Sequence, residues 1–319
     1  MTVRRWQVGL VGTGWWSGLE HLPGLQSRPD VELAALCGRD PARLAALADR
    51  FGVGHRCADW RELVARPGLD VVVIVLPNAL HHPVALAALQ AGRHVICEKP
   101  LALDVTQARQ LAAAARAGGR RSLTFFTHRA LAAAGQMKRL VDQGFLGRPL
   151  GVNAQYLTGS HLVPGKGASW RMRRADAGTG VLGDIGSHLV DLVRWWLGDL
   201  TRVAGQWQTP HPVRGGVAVD GDESTSFLAS LACGAQGVFQ ASKLVAGRGN
   251  WQRIELHGDR ASLVYEAEPG IDPTWTGRRC RRCWTRWRCR RARGGGWRCR
   301  ASACAAPCRP RRPAAGSAP

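Results

Sequence analysis

Six residues of mostly apolar character, Trp6 to Val11, run without a break into Gly12-Thr13-Gly14-Trp15-Trp16-Ser17. A strand that enters a helix through a glycine turn leaves the first helical amides facing outward. Gly12 suits the tight turn, and Gly14 lets an anion approach the backbone. The spacing is G-x-G-x-x-S, with serine where a third small residue usually stands. A plain glycine turn is the bland reading. The strand before it and the helix after it are the context a pyrophosphate-binding turn requires.

The alternation of strand and helix then repeats along the chain. Val31–Cys37 reads as a second strand, followed by Gly38-Arg39-Asp40-Pro41. An acid closing this strand would bind the ribose 2′-hydroxyl of NAD, but position 38 is glycine. Arg39 is either a partner for a 2′-phosphate or a solvated charge, and the balance tilts to NADP over NAD. Asp40 before Pro41 reads as a helix N-cap. Helical patterns cover 42–51 and 60–65, and 70–76 is a β-branched run suited to burial on both faces of a parallel sheet. It leads into Pro77-Asn78, where Asn78 reads as a cap, and into His81-His82, which read as partly exposed helix residues. After a helix over 85–91, His94 to Cys97 delivers Glu98, Lys99 and Pro100 to the strand-end edge, where ligands of open α/β sheets sit. A helix over 105–117 and a strand over 122–126 complete the series.

Beyond that point the pattern changes. A helix over 131–143, a strand over 150–157, a Gly- and Arg-rich loop over 160–177 and a helix over 183–197 precede five alternating segments. The expected fold class is α/β: an N-terminal doubly wound Rossmann domain over 1–125, then an α+β domain with a mostly antiparallel sheet over 126–276. In the 183–197 helix, Asp184, His188 and Asp191 stand at i, i+4 and i+7, which places them on one face. A histidine between carboxylates is a structural pair, a metal site or a proton shuttle. Only three local ligands and no thiolate are present, so no metal is expected here. As chemistry, a carboxylate would orient the imidazole, and Lys99 would supply a cationic donor.

E-K-P at 98–100, P-N-x-x-H at 77–81, the turn at 12–17 and G-D-x-G-x-H-x-x-D at 183–191 resemble the glucose–fructose oxidoreductase / inositol dehydrogenase (Gfo/Idh/MocA) family over about residues 5–270. That resemblance implies NAD(P)-dependent hydride transfer at a carbinol carbon of a sugar, inositol or related polyol. It implies Lys99 and His188 handling the proton, with Asp184 orienting His188 or binding a substrate hydroxyl. Gly12, Thr13, Gly14, Trp15, Arg39, Pro77, Asn78, His81, Glu98 and Lys99 would line the cofactor, joined by Arg171 of a Trp170-Arg171 pair. It also implies a cis peptide before Pro100 and a homo-oligomer formed through the C-terminal sheet. The other reading of the same residues is a non-catalytic NAD(P)-binding regulator.

The net charge of +21 suggests a nucleic-acid partner until it is located. Residues 277–319 hold 14 Arg, no acidic residue and 6 of the 10 Cys; without them 30 basic residues face 23 acidic ones. No nucleic-acid partner is therefore expected for the body, and no membrane partner either, since no apolar run approaches the roughly 18 residues of a membrane span. Thr2-Val3-Arg4-Arg5 imitates a twin-arginine signal, but the glycine turn replaces the apolar region such a signal needs, so a cytoplasmic protein is expected. The 277–319 segment lacks Leu, Ile, Val and Phe and cannot build a core. It is expected to be a disordered, aberrant tail of the kind a frameshift near Thr276 would leave. Cys280 and Cys283 have zinc-like spacing, but no regular second pair follows.

Overall fold

The computed structural model describes residues 4–267 and two strands at 286–291 and 297–302. By its internal contacts the chain divides into two units. The first comprises residues up to 131 together with 164–191 and 207–225, and the second comprises 132–163, 192–206 and 226 onward.

The first unit is built on a six-stranded sheet. Its strands are β1 (Trp6–Val11), β2 (Val31–Cys37), β3 (His55–Cys57), β4 (Val71–Ile74), β5 (His94–Glu98) and β6 (Ser122–Phe125). They pair in parallel in the order β3-β2-β1-β4-β5-β6. The order reverses between β1 and β4, so the crevice of a doubly wound sheet opens there. Both faces are covered. Val72, Ile74, Val95 and Cys97 pack with Leu63, Val84 and Leu111, while Val8, Leu10, Leu36 and Val73 pack with Leu22, Leu44 and Phe51. The helices lie at Pro41–Phe51, Trp60–Ala65, His81–Gln90 and Val105–Ala117, within a few residues of their sequence pattern. Asp40 caps the first by accepting from the Arg43 amide at 3.1 Å. β3 escaped the sequence reading because three residues, only one of them buried, carry no alternation.

The second unit holds most of a mixed sheet. Its strands are β7 (Pro149–Leu157), β8 (Leu200–Gln208), β11 (Ser224–Leu231), β12 (Gln236–Ser242), β13 (Trp251–Gly258), β14 (Ser262–Ala267), β15 (Arg286–Arg291) and β16 (Trp297–Ser302). A short hairpin of β9 (Val213–Arg214) and β10 (Val217–Ala218) belongs to the first unit. β13 runs antiparallel to both β7 and β14, and β15 runs antiparallel to β16. Parallel pairs of β7 with β12 and of β14 with β16 interrupt the antiparallel pattern. Phe239, Ile254, Leu256, Leu263 and Tyr265 form its buried face, and Trp196 donates to the Ala134 carbonyl at 3.1 Å. Within 277–319 only β15 and β16 are described; Cys280, Cys283 and the remainder lie outside the described residues. Among those described, no helix is long and apolar enough to cross a membrane.

Candidate active site

The glycine turn has one closed position and one open one. Gly12 adopts φ +120°, and a Cβ there would lie 2.0 Å from the Val75 carbonyl oxygen, so no other residue fits. A Cβ on Gly14 would meet nothing within 4 Å. The turn is thus pinned from behind and bare in front, a cradle that fits a pyrophosphate at the β1 edge. Ser17 stands at the third small position, fully buried, with its hydroxyl free of any protein partner. Trp15 is exposed. Gly38 has a different reason to be glycine: a Cβ there would sit 2.4 Å from Thr13 Cγ2. Arg39 is exposed at the end of β2.

Glu98, at the end of β5, turns back toward the first helix. Its Oε1 accepts from Trp16 Nε1 at 2.9 Å and meets His21 Nε2 at 2.8 Å, while Oε2 accepts from the Lys99 amide at 3.1 Å. Burial works against its charge, but the His21 contact, with Lys99 behind it, holds the carboxyl below its usual range. Trp16 and His21 are site residues the sequence did not signal, since their partner lies 82 and 77 positions away. His21 is brought round by a π-helical turn, Ser17–His21.

Lys99 points the other way. Its Nζ donates to the main-chain oxygen of Asp184 at 2.6 Å and to Oδ1 at 2.9 Å. Arg171 Nε lies 3.7 Å from the same Oδ1, its guanidinium stacked over Trp170. Asp184 sits in a second π-helical turn, Leu182–Gly186, that leads into the helix Ser187–Leu197. The wider turn breaks the 3.6-residue period between Asp184 and His188, whereas His188 and Asp191 both lie in the regular helix. Asp191 belongs elsewhere: Arg129 grips its carboxylate through both oxygens, at 2.7 and 2.6 Å. His188 is buried, stacked on His128 at 3.9 Å between centroids and edge-on to Phe126 at 5.8 Å. Burial first, then the charges of His128 and Lys99, push the His188 imidazole well below its ordinary pKa, against an opposing pull from Asp184. His128, which the sequence reading passed over, is lowered to about 4 by burial and by Lys99.

The P-N-x-x-H segment follows β4 and is tied by its side chains to the chain after β5 and to Ala177. His81 is fully buried, with Nδ1 at 2.7 Å from the Pro100 oxygen and Nε2 at 2.9 Å from the Leu76 oxygen. It is a strut joining the chain after β4 to the chain after β5. Asn78 is also buried and donates to the Ala177 carbonyl at 2.9 Å. Pro77 opens the turn that carries Asn78. The Lys99–Pro100 peptide is cis, as expected.

A buried carboxylate that no motif announced sets the start of the Asp184 turn. Asp222 Oδ1 accepts from the Gly180 amide and Oδ2 from the Leu182 amide, both at 2.7 Å. The Thr225 hydroxyl adds a third donor at 2.7 Å, and the Val181 amide bonds the Asp222 carbonyl at 2.8 Å. Gly180 is required beneath it, because a Cβ would lie 2.1 Å from the Asp222 oxygen.

A doubly wound sheet, a bare glycine cradle and a lysine–carboxylate–imidazole group at the end of β5 define an NAD(P)-dependent oxidoreductase. The chain belongs to the Gfo/Idh/MocA family. The family's model described as "oxidoreductase family, NAD-binding Rossmann fold" matches residues 6–126, and its C-terminal domain model matches 135–264. Levoglucosan dehydrogenase of Pseudarthrobacter phenanthrenivorans is 32% identical, over 82% of this chain and 73% of that protein. A levoglucosan dehydrogenase structure in complex with NADH and levoglucosan superposes with a TM-score of 0.78 at 30% identity, over 82% of this chain and 73% of that one. An oxidoreductase domain protein from Kribbella flavida gives 0.79 at 36% identity, over 82% and 74%.

Proposed function

We propose that the protein transfers hydride between a nicotinamide dinucleotide and a carbinol carbon of a sugar, with Lys99 and His188 handling the hydroxyl proton. The observation that carries this reading is the Lys99 ammonium held at 2.6 and 2.9 Å on Asp184, beside an imidazole that burial keeps neutral. In the oxidation direction, Lys99 donates a hydrogen bond to the substrate oxygen and stabilises its developing negative charge. The neutral His188 imidazole takes the hydroxyl proton, and Asp184 offsets the charge that then appears on it. Bound at the Gly12–Gly14 turn, the nicotinamide dinucleotide supplies the hydride acceptor, or the donor in reduction. Relatives named for levoglucosan, 1,5-anhydro-D-fructose and D-glucosides favour a pyranose-type substrate over an open-chain polyol. The test is a titration with NADH and NADPH followed by a panel of pyranoses, anhydrosugars and inositols. Cofactor binding with no turnover of any of them would support the regulator reading instead.

NADPH is the cofactor this chain's own residues support. Gly38 supplies no acid, Asp40 is committed to the Arg43 amide, and Arg39 is exposed to meet a 2′-phosphate. The relative solved with NADH argues for the unphosphorylated form, so the two are to be titrated side by side. We further infer that a second copy of the chain covers the outer face of the C-terminal sheet. Val203, Leu228 and Val238 are exposed there, around a hollow of about 410 Å³ whose lining includes Gly151, Ala229 and Gly237. Light scattering of the purified chain, with Leu228→Lys as the disrupting variant, reads this out.

A further inference from the structure

We propose that His55, Cys57 and Glu62 form a binding site for a thiophilic divalent cation, zinc above all, at the end of β3. His55 and Cys57 are two apart on one strand and therefore project from the same face. Glu62 stands in the first turn of the helix Trp60–Ala65, whose start is fixed by the Asp59 carboxylate on the Arg61 amide at 2.9 Å. One ligand atom from each of the three residues lies within 4.8 Å of the other two.

The details favour a metal seat over a simple ion pair. His55 Nε2 is buried and makes no hydrogen bond, and its distance to Glu62 Oε1 is 3.6 Å. That is too long for a hydrogen bond. It is close to the separation of two ligands on one tetrahedral zinc, roughly 3.4 Å for bonds near 2.0–2.1 Å. Glu62 is mostly exposed and has the freedom to close the last fraction of an ångström. An imidazole, a thiol and a carboxylate make a nitrogen–sulfur–oxygen donor set. It suits zinc, and its sulfur disfavours magnesium and calcium. Cys37, directly opposite Cys57 in the β2–β3 register, places a second thiol beside the first. Loading the site would require Cys57 to give up its proton, so binding would release a proton and strengthen as pH rises.

β2, β1 and β4 separate β3 from the strand that ends beside Lys99, and the inference is independent of the catalytic reading. The cysteines of residues 277–319 would also capture zinc, so total stoichiometry cannot test it. That segment contains no histidine, however, so histidine ring signals report on the body alone. The experiment is NMR of the full chain with labelled histidines, stripped by chelator and titrated with zinc. The His55 signal is assigned by its loss in His55→Gln. It should shift saturably, and half-saturation should require at least about tenfold more zinc in Cys57→Ser and in Glu62→Gln. Loss of an outer-shell partner alone typically costs that much. Glu62→Gln, at an exposed position, keeps the test valid if Cys57→Ser fails to fold. A His55 signal that zinc leaves unmoved overturns the proposal. So does one that shifts with equal affinity in both variants.

Discussion

Lys99 Nζ is bonded twice to one residue, to the backbone oxygen of Asp184 at 2.6 Å and to its carboxylate at 2.9 Å. The double contact fixes the ammonium where β5 ends and leaves its third proton for a ligand. Lys99→Met keeps the apolar stem and removes that donor. It should lower kcat by about 10²–10⁴ with little change in the Kd for the dinucleotide. The loss of positive charge should also raise the His128 pKa, which NMR of the ring reads directly. Unchanged turnover in a variant whose His128 titration has moved would remove Lys99 from the chemistry.

The stacked pair of His128 and His188 should make stability fall in mild acid. Both are held below their ordinary value, His128 at about 4, so in the folded chain they stay neutral where an unfolded chain takes up protons near pH 6.5. The unfolded state therefore binds more protons in this window, and stability drops as pH falls through it. For His128 alone the loss between pH 7.5 and 5 is about 2 kcal/mol. Urea midpoints at the two pH values should differ accordingly, and His128→Phe should shrink the difference. The depressed Glu98 carboxyl acts in the same direction, but below about pH 4.3, outside the interval measured. A midpoint that rises on acidification would contradict this.

Local pattern was enough to read the scaffold. Val71–Ile74 is a buried parallel strand because four β-branched residues in a row suit no half-exposed position. Gly12 is legible as the turn because it closes an apolar strand in G-x-G spacing ahead of a helix, and the structure adds that only glycine survives there beside the Val75 oxygen. What escaped were relations between distant segments. No local signal ties His21 to Glu98, His128 to His188 or Asp222 to the amides of Gly180 and Leu182. The two π-helical turns were invisible for another reason: the chain winds wider there than the 3.6-residue period by which helical faces are read. Asp191 keeps its place three residues after His188 in the regular helix, but its carboxylate is held by Arg129, 62 positions away.

Thr13 packs against Gly38 at the end of β2, where a doubly wound fold reads the 2′ position of its dinucleotide. NADPH should bind at least as tightly as NADH, by fluorescence titration of the purified chain. Gly38→Asp would supply the missing acceptor, but its Cβ would arrive 2.4 Å from Thr13 Cγ2. The single variant should therefore weaken both cofactors. Thr13→Gly combined with Gly38→Asp makes room for the carboxylate and should shift preference toward NADH, by repulsion of the 2′-phosphate and a new bond to the 2′-hydroxyl. A parent that clearly prefers NADH would overturn the reading of Arg39.

Asp222 should control the site without touching a substrate. Its carboxylate accepts from two amides and one hydroxyl at 2.7 Å, and that grip sets where the turn bearing Asp184 begins. Asp222→Ala leaves those buried donors unsatisfied, at about 1–3 kcal/mol apiece before relaxation or water entry. A net loss of about 3 kcal/mol would lower Tm by roughly 6–12 °C. Asp222→Asn preserves size but turns an NH₂ group toward donors, so it should recover little. Thr225→Val removes one of the three bonds and should cost least. Measured well below Tm, where each variant is folded, kcat should fall in the order Thr225→Val, Asp222→Asn, Asp222→Ala, while dinucleotide affinity holds. A structural role alone predicts normal kcat in whatever fraction remains folded. Active-site titration therefore decides the matter: full specific activity per folded Asp222→Ala molecule would mean that the turn holds Asp184 in place unaided.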